Sequence, residues 1–419
     1  MKTPQFSPPS KARNKRKFTA AVVLTVAAVF AASACGSSSK SSSSSDTTTT
    51  ASGGSADLSK LTPDSFTSDF AVMGQLKAAA AKGKGLIGVL LPDTTTSARY
   101  ESYDRPYLTK AFQAAGLSNS EFKIDNAQGS ATTMQTQAEA DITNGATVLL
   151  LDAIDSGSGA AIEKNAKSKG VAVIDYDRLT LGGPSGRNYV SFDNVEVGRT
   201  IGKGEISCID AWKVAKPNIL IMDGAATDNN AKLFAQGYNE VLKPKFDDGT
   251  YVKVGEPAGT WTPDVAATTF QQQLTAHKNI NAVVTPNDGV AGAVISVLQS
   301  QKVPAKTFPT TGQDATADGL QNILKGYQCG TVYKPITAEA QVAAAIAILL
   351  RAGDVVPASL LNGKTKDSES GEDVSSALLT PVWVTATNMA DTVVKDGAVK
   401  ASDVCVPAVA AACTAAGIK

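Results

Sequence analysis

Histidine is almost absent from this chain of 419 residues, which contains a single one, His277. Because histidine most readily exchanges protons near neutral pH and binds metals, its scarcity leaves little support for either chemistry. Positive charge is not in excess either, since 39 Lys and Arg side chains are matched by 39 Asp and Glu. This balance argues against a protein that binds nucleic acid through electrostatic attraction.

The usual motifs for nucleotides, zinc and acyl transfer are also missing from the sequence. No G-x-G-x-x-G follows a predicted strand, and neither H-E-x-x-H, G-x-S-x-G nor C-x-x-C occurs. A pair of catalytic carboxylates, as in glycosidases, is compatible with the many acidic residues, but no pair stands out. We therefore expect no metal, no cofactor and no enzymatic activity.

Long uncharged apolar runs are confined to the N-terminus. Residues 1–17 contain six basic side chains and no acidic one, and residues 18–34 carry no charge. A basic region followed by an apolar region and small residues is typical of a secretory signal. Residues 32–35 resemble a bacterial lipobox, which predicts cleavage after residue 34 and a lipid on Cys35. The alternative is a single membrane anchor, for which 17 residues are short.

The residues that follow Cys35 form a tract of low complexity. Residues 36–55 include ten Ser, four Thr and three Gly, too little apolar surface to drive folding. We expect a signal peptide at 1–34, a lipidated tether at 35–56 that reaches about 25 Å as a flexible coil, and a short helical lead-in at 57–84. The chain is thus predicted to be exported and anchored to the outer face of the cytoplasmic membrane.

Four cysteines remain beyond Cys35, an even number that suits disulfide bonds in an oxidising compartment. Cys405 and Cys413 are close in sequence within a tail that a crosslink would stabilise, and they are the predicted disulfide. Cys208 and Cys329 would then pair by elimination. Free buried thiols are the alternative.

From about residue 85 onward, apolar runs of strand length alternate with stretches of helical periodicity. Residues 86–91 are continuously apolar, as expected of a strand that is buried on both faces. Similar runs occur at residues 148–151, 171–174, 219–222 and 282–285. The alternation runs twice, over about 85–193 and 194–333. It predicts an α/β fold with two doubly wound lobes, each with a mainly parallel sheet.

Hydrogen-bond acceptors follow most of these strands, at the edge where open parallel sheets bind ligands. These acceptor residues are Asp93, Asp152, Asp175, Asp177, Asp223, Asp228, Asn287, Asp288, Gln313 and Asp314. Any one of them could be a helix N-cap. Six acceptor-bearing strand ends together predict a neutral ligand rich in hydroxyl groups, because a phosphate would require glycine-rich turns and cations.

Longer motifs resemble the periplasmic sugar-binding proteins of ABC importers, in particular their ribose and xylose class. The motifs lie at residues 174–178, 189–194, 228–234, 287–288, 312–315 and 331–336. The resemblance extends from Gly85 to about Lys400. It implies the periplasmic-binding-protein type I fold, with two Rossmann-like lobes and three crossing segments.

The resemblance also implies where the lobes divide. The N-terminal lobe would comprise residues 85–193 and 336–379, and the C-terminal lobe 194–335 and 380–419. The chain would cross between them at residues 189–193, 331–335 and 378–381.

Ten ligand-binding residues follow from the resemblance. They are Arg99, Tyr100, Asp177, Arg178, Asp228, Asn230, Trp261, Asn287, Asp314 and Lys334. Arg99 would donate to a sugar oxygen, and Tyr100 and Trp261 would cover the apolar faces of the ring. Gln313 is expected only to support its neighbours. Taken singly, Asp177 and Arg178 could be a surface ion pair and Trp261 a core residue.

The implied protein is a monomeric lipoprotein that captures a monosaccharide and delivers it to a membrane permease. D-xylose is the expected ligand, with glucose, galactose or arabinose as alternatives. A sensory role is the alternative to import. A sugar-responsive repressor of the same fold would need an N-terminal helix-turn-helix where this chain has a predicted signal and tether. An extracellular carbohydrate-active enzyme is the remaining alternative.

Overall fold

The computed structural model describes residues 58–419. The predicted signal peptide, the lipidation site at Cys35, the tether and the first residue of the lead-in lie outside the described residues. Within residues 58–419, no helix combines the length and apolar character needed to cross a membrane.

The described residues form an alternation of strands and helices. The strands are β1 (Leu86–Leu91), β2 (Phe122–Asn126), β3 (Ala146–Leu151), β4 (Ala172–Tyr176), β5 (Asn188–Phe192), β6 (Asn218–Ile221), β7 (Val252–Gly255), β8 (Ala282–Val284), β9 (Thr331–Tyr333), β10 (Gly363–Lys366), β11 (Asp373–Leu379) and β12 (Val382–Val384). The α-helices are α1 (Lys77–Lys82), α2 (Arg105–Ala114), α3 (Ala131–Thr143), α4 (Ser156–Ser168), α5 (Asn194–Ala211), α6 (Asn229–Asp247), α7 (Pro263–Ala276), α8 (Asp288–Ser300), α9 (Ala317–Lys325), α10 (Ile336–Arg351), α11 (Ala401–Val404) and α12 (Ala410–Ala415).

The first sheet contains seven strands in the order β10-β11-β5-β4-β3-β1-β2. Its strands are parallel except for β10, which pairs antiparallel with β11. Side chains of β1 alternate between two cores, with Ile87 and Val89 in one and Leu90 in the other. Helices α2 and α10 cover the first face, and α3 and α4 cover the second. Apolar side chains are needed on both faces, which explains the continuous apolar run.

The second sheet has the parallel order β7-β6-β8. A parallel bridge between Val283 and Thr310 continues it beyond β8. Helices α5 and α6 pack closely because glycines line their contact. A Cβ added at Gly198 would lie 2.2 Å from the carbonyl oxygen of Phe234. The mixed α/β arrangement with parallel sheets is the predicted fold class.

Strands β9 and β12 form a separate two-stranded sheet. The chain passes three times between the first sheet and the elements of the other two sheets. It leaves the first sheet at the end of β5 and enters α5, which packs on α6. It returns after β9 through α10, which covers the first sheet, and crosses again from β11 to β12, the antiparallel partner of β9. These crossings lie at residues 192–194, 333–336 and 379–382.

The lead-in and the tail are both folded against this body. Phe66, Phe70, Met73 and Leu76 of the lead-in are buried in the core that contains α2 and α10. Within the lead-in, a 3-10 turn at Ala71–Leu76 precedes α1. The structure joins Cys405 to Cys413 in the tail, and Cys208 of α5 to Cys329 just before β9.

Candidate functional site

All ten residues expected at the ligand site line one cavity at the carboxyl ends of strands from both sheets. Arg99 and Tyr100 follow β1, and Asp177 and Arg178 follow β4. The remaining six follow or precede elements of the second sheet and β9. Four residues outside that set also line the cavity, namely Thr96, Ser97, Phe234 and Gln313. Phe234 and Gln313 lie in the sequence motifs named above, whereas nothing in the sequence singles out Thr96 and Ser97.

The guanidinium group of Arg99 is almost fully engaged by other protein groups. It donates to both carboxylate oxygens of Asp104 at 2.9 and 2.7 Å, to Asp177 at 2.8 Å and to Glu339 at 2.6 Å. An arginine side chain carries five N–H groups, so one of them, on Nη1, has no acceptor among the described residues. Burial disfavours its charge, yet the three carboxylates hold the pKa of Arg99 above its usual value. Most of the hydrogen-bonding capacity of Arg99 is therefore used to hold the carboxyl groups of Asp104, Asp177 and Glu339 together.

Glu339 belongs to this buried cluster and was not expected from the sequence. Its Oε1 is buried and has no hydrogen-bond partner among the described residues. Burial raises the pKa of Glu339 to about 8, against the opposing effect of Arg99. Glu339 and Arg99 are 240 residues apart, so no local motif could have linked them.

Asp177 and Asp314 occupy equivalent backbone positions in the two halves of the site. Both adopt left-handed backbone conformations, with φ of 58° and 92°, which are costly for residues other than glycine. The backbone N–H of Asp177 donates to Val190 of β5, and that of Asp314 donates to Val332 of β9, both at 2.9 Å. Each carboxylate is thus fixed to a strand that leads into a crossing segment.

Asn230 connects the second half of the site to the first through protein contacts alone. Its Nδ2 donates to the backbone carbonyl of Asp177 at 3.0 Å, and its Oδ1 accepts from Asn194 at 2.9 Å. The same carbonyl accepts hydrogen bonds from Tyr189 and Ser191, at 2.9 and 2.7 Å. The side chain of Asn230 is therefore a contact across the cleft, in addition to lining it.

Arg178 and Tyr100 form the polar and aromatic wall beside Asp177. Arg178 donates to the Tyr100 hydroxyl at 2.9 Å, and its guanidinium carbon lies 5.6 Å from the centre of that ring. Its Nε lies 3.3 Å from Asp228 on the other side of the cleft and 3.6 Å from Asp152. Burial raises the pKa of Asp152 well above its usual range.

Trp261 lines the cavity from the side of the second sheet. Its indole N–H donates to Asp228 at 3.1 Å, and Phe234 meets its ring edge-on with the centres 6.5 Å apart. The ring lies directly over Gly224, where a Cβ would come within 2.2 Å of it. Trp261, which follows β7, and Tyr100, which follows β1, thus bring aromatic rings to the cavity from different sheets.

Two further hydrogen bonds join the loop after β1 to the second half of the site. Ser97 donates to Asp314 at 2.8 Å, and Asn287 donates to the carbonyl of Thr96 at 2.9 Å. Lys334 lies 3.4 Å from Asp314 and 3.7 Å from Asp177, between the two carboxylates. Charges in the cavity wall are balanced, with three cations (Arg99, Arg178, Lys334) and three carboxylates (Asp177, Asp228, Asp314).

Residues 87–354 match the periplasmic binding protein domain family. The chain belongs to the periplasmic binding protein family. It is 37% identical over 303 residues to the D-xylose-binding periplasmic protein of Escherichia coli, covering 72% of this chain and 87% of that protein. It is 34% identical over 279 residues to the protein of the same name from Haemophilus influenzae, covering 65% and 80%.

A solved structure resembles this periplasmic binding protein over a similar span. A carbohydrate transporter solute binding protein from Chloroflexus aurantiacus, in complex with D-glucose, superposes with a TM-score of 0.68 at 27% identity. The match covers 76% of this chain and 98% of that one. The family and this neighbour confirm the predicted type I fold, and the relatives are solute-binding transport proteins rather than enzymes.

Proposed function

We propose that this periplasmic binding protein captures a monosaccharide, D-xylose, in the cavity between its two sheets and delivers it to an ABC-type permease. The observation that carries the proposal is a cavity wall with three cations, three carboxylates and the aromatic rings of Tyr100 and Trp261. A balanced wall favours a neutral ligand, and alternating donors and acceptors suit hydroxyl groups. The aromatic faces suit the apolar C–H faces of a pyranose.

The same wall accounts for selectivity as well as affinity. Hydrogen bonds to charged groups contribute about 1.5–3 kcal/mol each. A sugar with a missing or inverted hydroxyl would leave a buried charged partner unsatisfied, which costs more than the lost bond. Binding of this kind requires no nucleophile and no cofactor.

D-xylose is favoured over other aldoses by the names of the two relatives described above. D-glucose is the second candidate, since the Chloroflexus neighbour was solved with that sugar. Both are aldoses with the same arrangement of hydroxyls around most of the ring, and a hexose adds one exocyclic CH2OH group.

Closure of two lobes about the crossing segments would trap the sugar. The lobes would be residues 85–193 with 336–379 and residues 194–335 with 380–419. The contacts of Thr96, Ser97 and Asn230 across the cleft support such a closed form. A ligand that touches both lobes stabilises the closed form by its differential affinity for it, and the permease would recognise that form.

The protein would act as an exported monomer anchored through Cys35. The basic and apolar N-terminal segments and the Ser/Thr-rich tract support this location. A sensory lipoprotein would use the same ligand chemistry with another membrane partner. Growth of a strain that lacks this protein on its sugar, compared with chemotaxis or induction by that sugar, separates import from sensing.

Calorimetric titration of the chain without residues 1–34 tests the ligand. We expect one-to-one binding that is tightest for D-xylose among xylose, glucose, galactose and arabinose. Asp314→Asn should weaken xylose binding about 10- to 100-fold, because it removes a charged acceptor. Asp318→Asn, on the exposed surface of α9, is the matched control and should bind normally. Tightest binding of glucose would reject xylose, and silence toward all four sugars would reject the function.

A further inference from the structure

Gln313 lies on the wall of the cavity, next to Asp314. Its backbone is held by a bridge to Val332 of β9 and by a hydrogen bond that its carbonyl accepts from the N–H of Asp288 at 2.9 Å. The residue is 3% exposed and lines the same cavity as the charged residues. It is therefore a rigidly placed amide in the wall of the cavity.

The neighbouring carboxylate determines the orientation of this amide. Gln313 Nε2 donates to Asp314 Oδ1 at 2.7 Å. An ionised carboxylate accepts hydrogen bonds and cannot donate them, so the flipped amide would set two acceptors against each other. The Oε1 atom must consequently be the free end. It is buried and has no hydrogen-bond partner among the described residues.

Most other acceptors in the wall already have protein donors. The carboxylate of Asp228 accepts from Trp261 and from the backbone of Asn230. Asp314 Oδ2 accepts from Ser97, and Asn287 Oδ1 accepts from a backbone N–H of α8. Gln313 Oε1 differs from these atoms, because no donor among the described residues hydrogen-bonds to it. A buried acceptor in that state is destabilising until a donor is supplied.

We propose that Gln313 Oε1 accepts a hydrogen bond from one hydroxyl of the bound sugar and is a specificity-determining contact. This inference rests on the proposed function, because it takes the ligand to be a sugar. Lys334 approaches Asp314 Oδ1, the same atom to which Gln313 donates, so a cationic donor and a free acceptor flank one carboxylate. A hydroxyl can accept from the lysine and donate to the amide. An ether oxygen or a fluorine cannot donate and is rejected at this position.

The test compares the affinities of the wild-type chain and of one variant for a set of ligand analogues. D-xylose and its singly deoxygenated or fluorinated analogues are titrated against the wild-type chain and Gln313→Met, which keeps the side-chain length and removes the acceptor. We expect Gln313→Met to weaken xylose binding about tenfold. We also expect it to abolish the discrimination against one analogue, the one lacking the hydroxyl that donates to Gln313, and to keep the discrimination against the others.

Gln328→Met is the matched control. Gln328 is also a buried amide that donates to a carboxylate, Asp288, and leaves its Oε1 without a partner among the described residues, but it does not line this cavity. It should leave sugar selectivity unchanged. Thermal unfolding of both variants checks that they fold.

Three outcomes overturn the proposal. Unchanged xylose affinity in folded Gln313→Met would mean that water satisfies Oε1 in the complex. An equal loss for every analogue would mean that Gln313 acts by positioning Asp314 alone. Failure of the wild-type chain to bind any aldose would reject the proposed function itself. If a different aldose binds, the same comparison is run with the deoxy analogues of that sugar.

Discussion

Arg99 is an example, at the scale of single residues, of a binding-site cation whose hydrogen bonds are mostly made to the protein. Four of its five N–H groups are used by Asp104, Asp177 and Glu339. Removing one partner of a buried charge cluster typically costs 3–5 kcal/mol, because the remaining charges lose their compensation. The residue should therefore matter for folding as well as for binding.

We expect Arg99→Ala to lower the free energy of unfolding by about 3–5 kcal/mol in the absence of sugar. Urea denaturation of the sugar-free protein measures it. Arg199→Ala is the matched control, because Arg199 is a surface residue that pairs with the exposed Glu240 and should contribute about 0–1 kcal/mol. Similar losses in the two variants would contradict a structural role for Arg99.

Gly224 supports the aromatic wall by having no side chain. A Cβ there would come within 2.2 Å of the Trp261 ring, so Gly224→Ala must displace the ring or the backbone. We expect the affinity for the sugar to fall at least tenfold, as measured by calorimetry, since a displaced platform loses contact with the sugar ring. Gly292→Ala, on α8 with open space around the added methyl group, should bind as the wild type does.

At the scale of secondary-structure elements, helix α5 has a buried carboxyl group near its middle, that of Glu205, with no compensating charge beside it in the described part of the chain. It is completely buried, and neither oxygen has a hydrogen-bond partner among the described residues. Burial raises the pKa of Glu205 to about 8. The folded protein thus keeps this proton where the unfolded chain has released it, and stability falls as pH rises from about 4.5 to 8.

Glu205→Gln should remove this contribution. We expect the free energy of unfolding of the variant, relative to wild type, to rise by up to about 1.4 kcal/mol per pH unit between pH 5 and 8. Urea titrations at pH 5, 6.5 and 8 measure it. Glu240→Gln changes an exposed glutamate of α6 and should keep the wild-type slope. A constant difference between Glu205→Gln and wild type across the range would show that Glu205 does not titrate there.

The elements found from the sequence are those whose apolar pattern matches their burial. Strand β1 was predicted at its observed bounds because both of its faces are covered. Strand β2 was missed because its sequence, FKIDN, is largely polar at the edge of the sheet. Helix α5 was missed because Gly198 and Gly202 suggest a loop, whereas in the fold they allow α6 to approach. Helix α10 is buried on every side and so has no polar face to give a helical period.

The residues of the candidate site were likewise predictable only where the sequence itself carries a signal. Seven of its ten predicted residues lie in the sequence motifs, and the other three, Arg99, Tyr100 and Trp261, were predicted from the family resemblance alone. Asp104 and Glu339 were not predicted, because their importance lies in contacts with Arg99 that exist only after folding. The family resemblance therefore indicated the residues of the cavity wall, and the structure added Asp104 and Glu339, which hold Arg99 in that wall.

The two disulfides contribute differently at the scale of the whole molecule. Cys208 and Cys329 are 121 residues apart, and Cys405 and Cys413 are eight apart. In the chain-entropy view a crosslink stabilises by restricting the unfolded chain, by about 5 kcal/mol for the long loop and about 2–3 kcal/mol for the short one. The long-range pair should therefore dominate.

We expect the double replacement of Cys208 and Cys329 by alanine to lower the unfolding midpoint more than that of Cys405 and Cys413. Calorimetric melting of both variants under non-reducing conditions measures it. The wild-type chain in strong reductant provides the reference in which both bonds are absent. A larger effect of the tail pair would mean that native packing, and not chain entropy, determines their contributions.

The attachment of Asp177 and Asp314 to strands that lead into crossing segments has a consequence for the kinetics of binding. Atoms near a rotation axis move least, so lobes that rotate about these segments would leave the two carboxylates nearly as far apart when open as when closed. An arriving sugar would find this part of its site already assembled, which favours rapid association. The hydrogen bonds of Thr96 and Ser97 with the opposite side of the cleft would then limit escape, and weakening them should shorten the residence time more than it slows capture.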